Sequence, residues 1–175
     1  MTMGLLHIYC GDGKGKTTAC IGLSVRAAGR GFKVLFVQFL KNRLTGELQS
    51  FELFNNIEVM RGKETRKFTF QMTEDEKQKV LAEHKELFEQ VITKISNEKI
   101  DLLILDEVIG ACNTGVFPYS SLVDFLQNKP PELEVVLSGR NPPPELIALA
   151  DYVSEVKMIK HPLKRGIPAR DGIER

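Results

Sequence analysis

Nine residues near the start of the chain, Cys10-Gly11-Asp12-Gly13-Lys14-Gly15-Lys16-Thr17-Thr18, have the types and spacing to grip a phosphate chain. The P-loop pattern is G-x-x-x-x-G-K-[ST]. Gly15, Lys16 and Thr17 fit its end, Cys10 stands at the first glycine position, and Gly11 and Gly13 supply glycines further on. Small residues let consecutive backbone N–H groups point at phosphate oxygens, and the helix that starts near Lys16 presents its positive end to them. Lys16 adds a point charge, and the Thr17 hydroxyl can ligate Mg²⁺. Residues Gly11, Asp12, Gly13, Lys14, Gly15, Lys16, Thr17 and Thr18 are therefore candidate ATP-binding positions, against the alternative of a plain glycine-rich turn.

Four further stretches bear on chemistry. Leu102 to Glu107, LLILDE, reads as a strand ending in two acids. In P-loop proteins an Asp in that place supports Mg²⁺; on the other reading Asp106 and Glu107 only end a strand with solvated charge. Arg140, in SGRNPPP, lies just beyond another strand, where ligands collect in open parallel sheets. It could sense phosphate or pair with an acid. Phe68 and Phe70, in FTF, sit among hydrophilic neighbours and form either a small satellite core or a lid over a flat apolar ligand. His161, in KHP, is a lone histidine without visible metal-binding partners.

The totals limit the classes available. The 175 residues suffice for one domain with a proper core, expected to span 1–175. Lys plus Arg is 24 and Asp plus Glu is 23, a net charge of +1, which gives no global pull toward nucleic acid or anionic membrane. Cys10, Cys20 and Cys112 form no CxxC or Cys/His cluster, which argues against structural zinc. An odd cysteine count without a signal peptide suggests a reducing, cytoplasmic setting. The longest apolar run, Val34 to Leu40, is interrupted by Gln38 and too short to span a bilayer.

Apolar runs and helical patterns alternate to position these groups. Strands are expected at Leu5–Cys10, Lys33–Leu40, Ile57–Arg61, Asp101–Asp106, Glu134–Ser138 and Tyr152–Ile159. Helices are expected at Lys16–Ala28, stopped by Gly29 and Gly31, at Ser120–Gln127 and at Pro144–Ala150. The clearest helix is Thr73–Glu98, opened by a Thr73/Glu76 capping box and carrying Val80, His84, Leu87, Val91 and Ile95 on one stripe. Alternation of this kind predicts an α/β fold of three layers, a mostly parallel central sheet flanked by helices. Lys41–Thr73 reads as long, polar and irregular, and Lys160–Arg175 as an irregular tail.

Taken together the motifs resemble the P-loop type of ATP:corrinoid adenosyltransferase, which acts on cob(I)alamin or cob(I)yrinic acid a,c-diamide. The resemblance runs through GDGKGKTT (Gly11–Thr18), VQFLK (Val37–Lys41), LILDE (Leu103–Glu107), SGR (Ser138–Arg140), LADYVSEV (Leu149–Val156) and KHP…GIPARDGIE (Lys160–Glu174). It implies a RecA-like P-loop NTPase architecture and transfer of the 5′-deoxyadenosyl group of ATP to Co(I), with inorganic triphosphate leaving. It implies that the loop holds the triphosphate in reversed orientation, that Thr17 and Glu107 bind Mg²⁺ with Asp106 beside them, and that Lys16, Thr17 and Glu107 are catalytic. Phe68 aligns with a family Phe on the lower face of the corrinoid, and Phe70 stands where better-studied members carry Trp. Some members have a helix ahead of the first strand; this sequence opens at the strand. A flavoprotein reductant and a homodimer are the family expectation. The alternative reading is a RecA-like ATPase that hydrolyses ATP to ADP and phosphate, supported by the Asp106–Glu107 pair.

Overall fold

The computed structural model describes residues 3–40, 45–62 and 69–174, with the backbone alone for residues 70 and 163. Six strands are described: β1 (Leu6–Cys10), β2 (Val34–Gln38), β3 (Ile57–Arg61), β4 (Leu102–Asp106), β5 (Glu134–Ser138) and β6 (Tyr152–Glu155). They form one sheet in the order β3-β2-β4-β5-β1-β6, and every neighbouring pair is parallel. The expected mostly parallel sheet is thus fully parallel among the described strands. β5 lies between β1, which leads into the glycine loop, and β4, which carries the two acids.

Strand alternation builds the layers. In β2, Val34 and Phe36 face one side, where they pack with Cys20, Ala27 and Ala28 of α1 (Lys16–Ala28) and Phe51 of α2 (Gly46–Phe51). Leu35 and Val37 face the other side, with Val80, Leu87, Phe88 and Val91 of α3 (Glu74–Asn97). Leu122 and Leu126 of α5 (Tyr119–Asn128) and Leu146 of α6 (Pro144–Leu149) complete that layer. All five residues of both β2 and β4 are buried, as a sheet covered on two faces requires.

α3 starts as the sequence predicts. The Thr73 hydroxyl accepts from the Glu76 N–H, and the Glu76 carboxylate accepts from the Thr73 N–H at 2.8 Å. His84, on its apolar stripe, is buried and donates Nδ1–H to the Val116 carbonyl at 3.0 Å. Burial pushes the imidazole below its ordinary pKa, so the neutral ring serves as core with one polar tether.

Three expectations need correction. The segment expected to be irregular contains α2 as well as the anticipated β3, and a 3₁₀ turn at Thr69–Gln71. α2 is six residues long, too short to show a helical period; Phe51, its ring centroid 5.1 Å from that of Phe36, anchors it. A second unexpected helix, α4 (Val108–Asn113), follows the acids directly. Only the two acids separate its VIGAC sequence from the apolar run of β4, and six residues are too few to show a helical period. Finally, β6 ends at Glu155, because the chain beyond it turns to support the glycine loop: the Val156 carbonyl accepts from the Gly13 N–H at 2.8 Å.

Candidate active site

The glycine loop runs from the end of β1 to the start of α1 and lies against the segment that follows β6. Gly11 has φ +100, and a Cβ there would stand 2.4 Å from the Val156 carbonyl oxygen. A Cβ on Gly13 would be 2.8 Å from the Lys157 carbonyl carbon, and the Asp12 carboxylate accepts from the Met158 N–H at 3.1 Å. Glycines at 11 and 13 therefore permit close packing of two backbones. Gly15 differs: its φ is +128 with nothing within 4 Å of its would-be Cβ, so there glycine serves the backbone conformation. It is the N-cap of the 13-residue α1 and supplies no side-chain cap, which leaves the first-turn N–H groups to an anionic ligand.

Lys16 is 7% exposed, and its ammonium donates to the Gly13 carbonyl at 2.9 Å, folded back over the loop. Burial lowers its pKa; Glu107, Asp12 and Asp106 push it back up, while Arg140 lowers it further. The candidate cations and acids thus share one electrostatic neighbourhood.

The acids are held by a chain of hydroxyls. Asp106 is fully buried; it accepts from the Thr17 hydroxyl at 3.0 and 3.2 Å and from the Ser138 hydroxyl at 2.6 Å. Ser138 in turn accepts from the Glu107 N–H at 2.9 Å. Glu107 has φ 61 and ψ 15, a left-handed conformation that for a non-glycine residue stores strain of about 1–3 kcal/mol. That turn sends β4 abruptly into α4. Gly139, φ +148, makes room for it, since a Cβ there would stand 2.6 Å from the Ile109 Cβ. Ser138 lies in the quoted SGR motif, but its type alone did not show that it braces both acids.

Ser138→Ala removes both ties. We expect a stability loss of about 1–3 kcal/mol from the lost hydrogen bonds to buried Asp106 and from the Glu107 N–H. Metal-dependent nucleotide binding should fall with it, read by calorimetry with and without Mg²⁺. Unchanged stability and binding would show that Asp106 holds its place without Ser138.

A cavity of about 610 Å³ opens over the loop. Residues 12–18 and Arg140 line it, bringing together the expected nucleotide positions; Gly11 lies outside the lining and supports the loop. Arg140 is exposed, and its carbonyl accepts from the Asn113 amide at 2.7 Å, which fixes its backbone. Sequence reasoning missed two walls: the first turns of α2, with Thr45, Glu47 and Ser50, and the carboxyl-terminal segment at 172–174. The latter lies in the GIPARDGIE motif, the one signal that could have found it; α2 offered none. His161 also lines the cavity. Phe68 lies outside the described residues, and Phe70 is placed by backbone alone, in the 3₁₀ turn before α3. Among the described residues, no helix is long and apolar enough to cross a membrane.

Comparison with known proteins gives the geometry its context. Residues 2–175 match the family described as ATP:corrinoid adenosyltransferase BtuR/CobO/CobP. A corrinoid adenosyltransferase from Pseudomonas aeruginosa is 33% identical over 172 residues, covering 98% of this chain and 83% of that protein. One from Escherichia coli K12 is 31% identical over 173 residues, covering 98% and 85%. The solved cytoplasmic domain of EssC superimposes with a TM-score of 0.56 at 14% identity, over 95% of this chain and 34% of that one, a likeness of fold alone. The all-parallel sheet, the glycine loop after β1 and the match over residues 2–175 agree: the chain belongs to the ATP:corrinoid adenosyltransferase family and is an enzyme that uses ATP to adenosylate a corrinoid.

Proposed function

We propose that the enzyme transfers the 5′-deoxyadenosyl group of ATP to Co(I) of a reduced corrinoid and releases inorganic triphosphate. The observation that carries this reading is the cradle itself: a loop of glycines, a buried Lys16 and the open N-terminus of α1 enclose the place of a whole phosphate chain. The Co(I) electron pair forms a bond to C5′, and the C5′–O bond breaks with its electrons passing to the triphosphate. No proton moves, so no general base is required. Negative charge grows on the leaving group, where on this reading Lys16 and the N–H groups of the first turn of α1 would meet it, and preorganised donors of this kind favour the transition state over the ground state.

A Mg²⁺ accompanying the nucleotide would be held by Thr17, Asp106 and Glu107 and would supply neutralising charge for the phosphates. The donor set fits: hydroxyl and carboxylate oxygens 3.0 Å apart are hard ligands suited to Mg²⁺. Among the described residues no group of three or more His, Cys, Asp or Glu is placed to hold a metal. That suits Mg²⁺, whose shell is completed by phosphates and water. Family resemblance supports a flavoprotein as the source of electrons, a homodimer, and Phe68 and Phe70 as cover for the lower corrinoid face.

Incubation with ATP, Mg²⁺ and chemically reduced cobalamin tests the reading. Triphosphate should appear in step with adenosylated corrinoid and only when Co(I) is present; ADP and phosphate without corrinoid would establish hydrolysis instead. Joint replacement of Phe68 and Phe70 by Ala should abolish corrinoid turnover and leave ATP affinity within about twofold, since the family resemblance assigns these rings to the corrinoid and not to the nucleotide. Loss of the cooperative thermal transition would identify the pair as core.

A further inference from the structure

Gln38 is the last residue of β2 and is 1% exposed, yet it belongs to no part of the site described so far. It stands in parallel register with Asp106 on the neighbouring strand. Both side chains project to the same face, the face of α1 and α2, because Val34 and Phe36 precede Gln38 at two-residue steps and Leu102 and Ile104 likewise precede Asp106. The Gln38 amide donates Nε2–H to the Glu47 carboxylate at 3.2 Å, and Glu47 lines the nucleotide cavity from α2. The other half of the same amide, Oε1, is buried and has no hydrogen-bond partner among the described residues.

Leaving an amide oxygen buried without a donor disfavours the fold. An apolar side chain would fill the same space without that loss. The reversed amide orientation would set oxygen against the Glu47 carboxylate, so the oxygen must look elsewhere. The register partners of Gln38 are Arg61 on β3 and, on β4, Asp106, the carboxylate that would hold a divalent cation. Hard cations that keep part of their water shell present strongly polarised O–H donors, and groups accepting those hydrogens orient the hydrated ion.

We propose that Gln38 is a positioning residue of the metal–nucleotide site. Its amide oxygen accepts a hydrogen bond from a water of the divalent cation held at Thr17 and Asp106, while its amide nitrogen holds Glu47 in the wall of the cavity. The residue thereby ties the cation to helix α2, and α2 becomes sensitive to whether the bound nucleotide carries its metal. This rests on the proposed metal site at Thr17 and Asp106.

The test compares Gln38→Met, close in shape but without the amide, with the unaltered protein. ATP binding is measured by calorimetry in excess Mg²⁺ and again in EDTA, and Mn²⁺ binding in the presence of ATP is followed by electron paramagnetic resonance. Outer ligands of this kind are worth about 10–100-fold in metal affinity. We expect affinity for the metal–ATP complex and for Mn²⁺ to fall about tenfold, with metal-free ATP binding unchanged. Equal loss in both conditions would assign Gln38 a purely structural role, and no loss in either would remove it from the site; each overturns the proposal. If Gln38→Met lacks a cooperative thermal transition, Gln38→Asn, which keeps the amide but withdraws it by one methylene, should show the same metal-selective loss. None of these readouts involves corrinoid. The positioning role can therefore fail while adenosylation stands, and failure of the wild-type protein to adenosylate would leave it untouched.

Discussion

Lys16→Met should lower kcat/KM for corrinoid adenosylation by about 10²–10³-fold, the loss typical when one preorganised donor is removed from a developing oxyanion. Methionine keeps an unbranched stem in a place that is 7% exposed, so the fold should survive and the change falls on the charge. The ammonium rests 2.9 Å from the Gly13 carbonyl, inside the curl of the loop that faces the phosphates. From there it is repositioned by a small torsion rather than drawn in from solvent, which keeps reorganisation low at the moment the C–O bond breaks. Lys14, two residues earlier and exposed, supplies the control. It shares the loop, the cavity lining and the charge but lacks the burial, so the loss in Lys14→Met should be well below that in Lys16→Met, as expected for a charge more screened by solvent. Equal loss in both variants would mean that the loop acts only by net charge. A Lys16→Met protein that retains full turnover would place the developing negative charge elsewhere.

The contrast between Lys14 and Lys16 also shows what a sequence makes legible. Spacing alone singled out Lys16 as the candidate phosphate ligand, and the structure buries it in the lining of the cavity. The strands were readable for a related reason: β2 and β4 are buried on both faces and so written in continuous apolar residues. What escaped was either short or held by distant partners. α2 and α4 are six residues each, less than two turns, and no period can be seen in so few. Ser138 braces Asp106 and Glu107 from 32 and 31 positions away, and Gln38 meets Glu47 across residues that show no motif linking them. Their roles come from the strand order, which sets β4 between β2 and β5. The unusual backbone at Glu107 was equally hidden, since nothing in the letters DEV announces a left-handed turn. Phe68 and Phe70 mark the opposite case: family likeness assigns them a role that packing does not address.

The second large effect concerns the missing first glycine of the motif. Cys10 is the last residue of β1 and buried, so the glycine requirement has passed to Gly11. Two separate demands fall on that residue. Its φ of +100 is unfavourable for any side chain, worth about 1–3 kcal/mol. Its would-be Cβ lies 2.4 Å from the backbone oxygen of Val156, an atom that cannot rotate away as a side chain could. Gly15 carries only the first demand, with φ +128 and nothing within 4 Å of its would-be Cβ. The pair thus separates backbone strain from steric conflict. Gly15→Ala should lower Tm by about 2–12 °C, since 1 kcal/mol corresponds to roughly 2–4 °C in a chain of this size. Gly11→Ala should lower it by more, because the added methyl must also displace the Val156 carbonyl. That carbonyl accepts from the Gly13 N–H, and the Val156 N–H donates to Cys10, so moving it opens the junction between β1, β6 and the loop. Hydrogen exchange at Gly13 and Val156 should accordingly accelerate in Gly11→Ala and stay slow in Gly15→Ala. Equal Tm losses with equal exchange would leave φ as the whole requirement at both positions. A larger loss confined to Gly11 would show that the loop begins there because the segment following β6 presses on it, and that the cradle's shape depends on backbone distant in sequence.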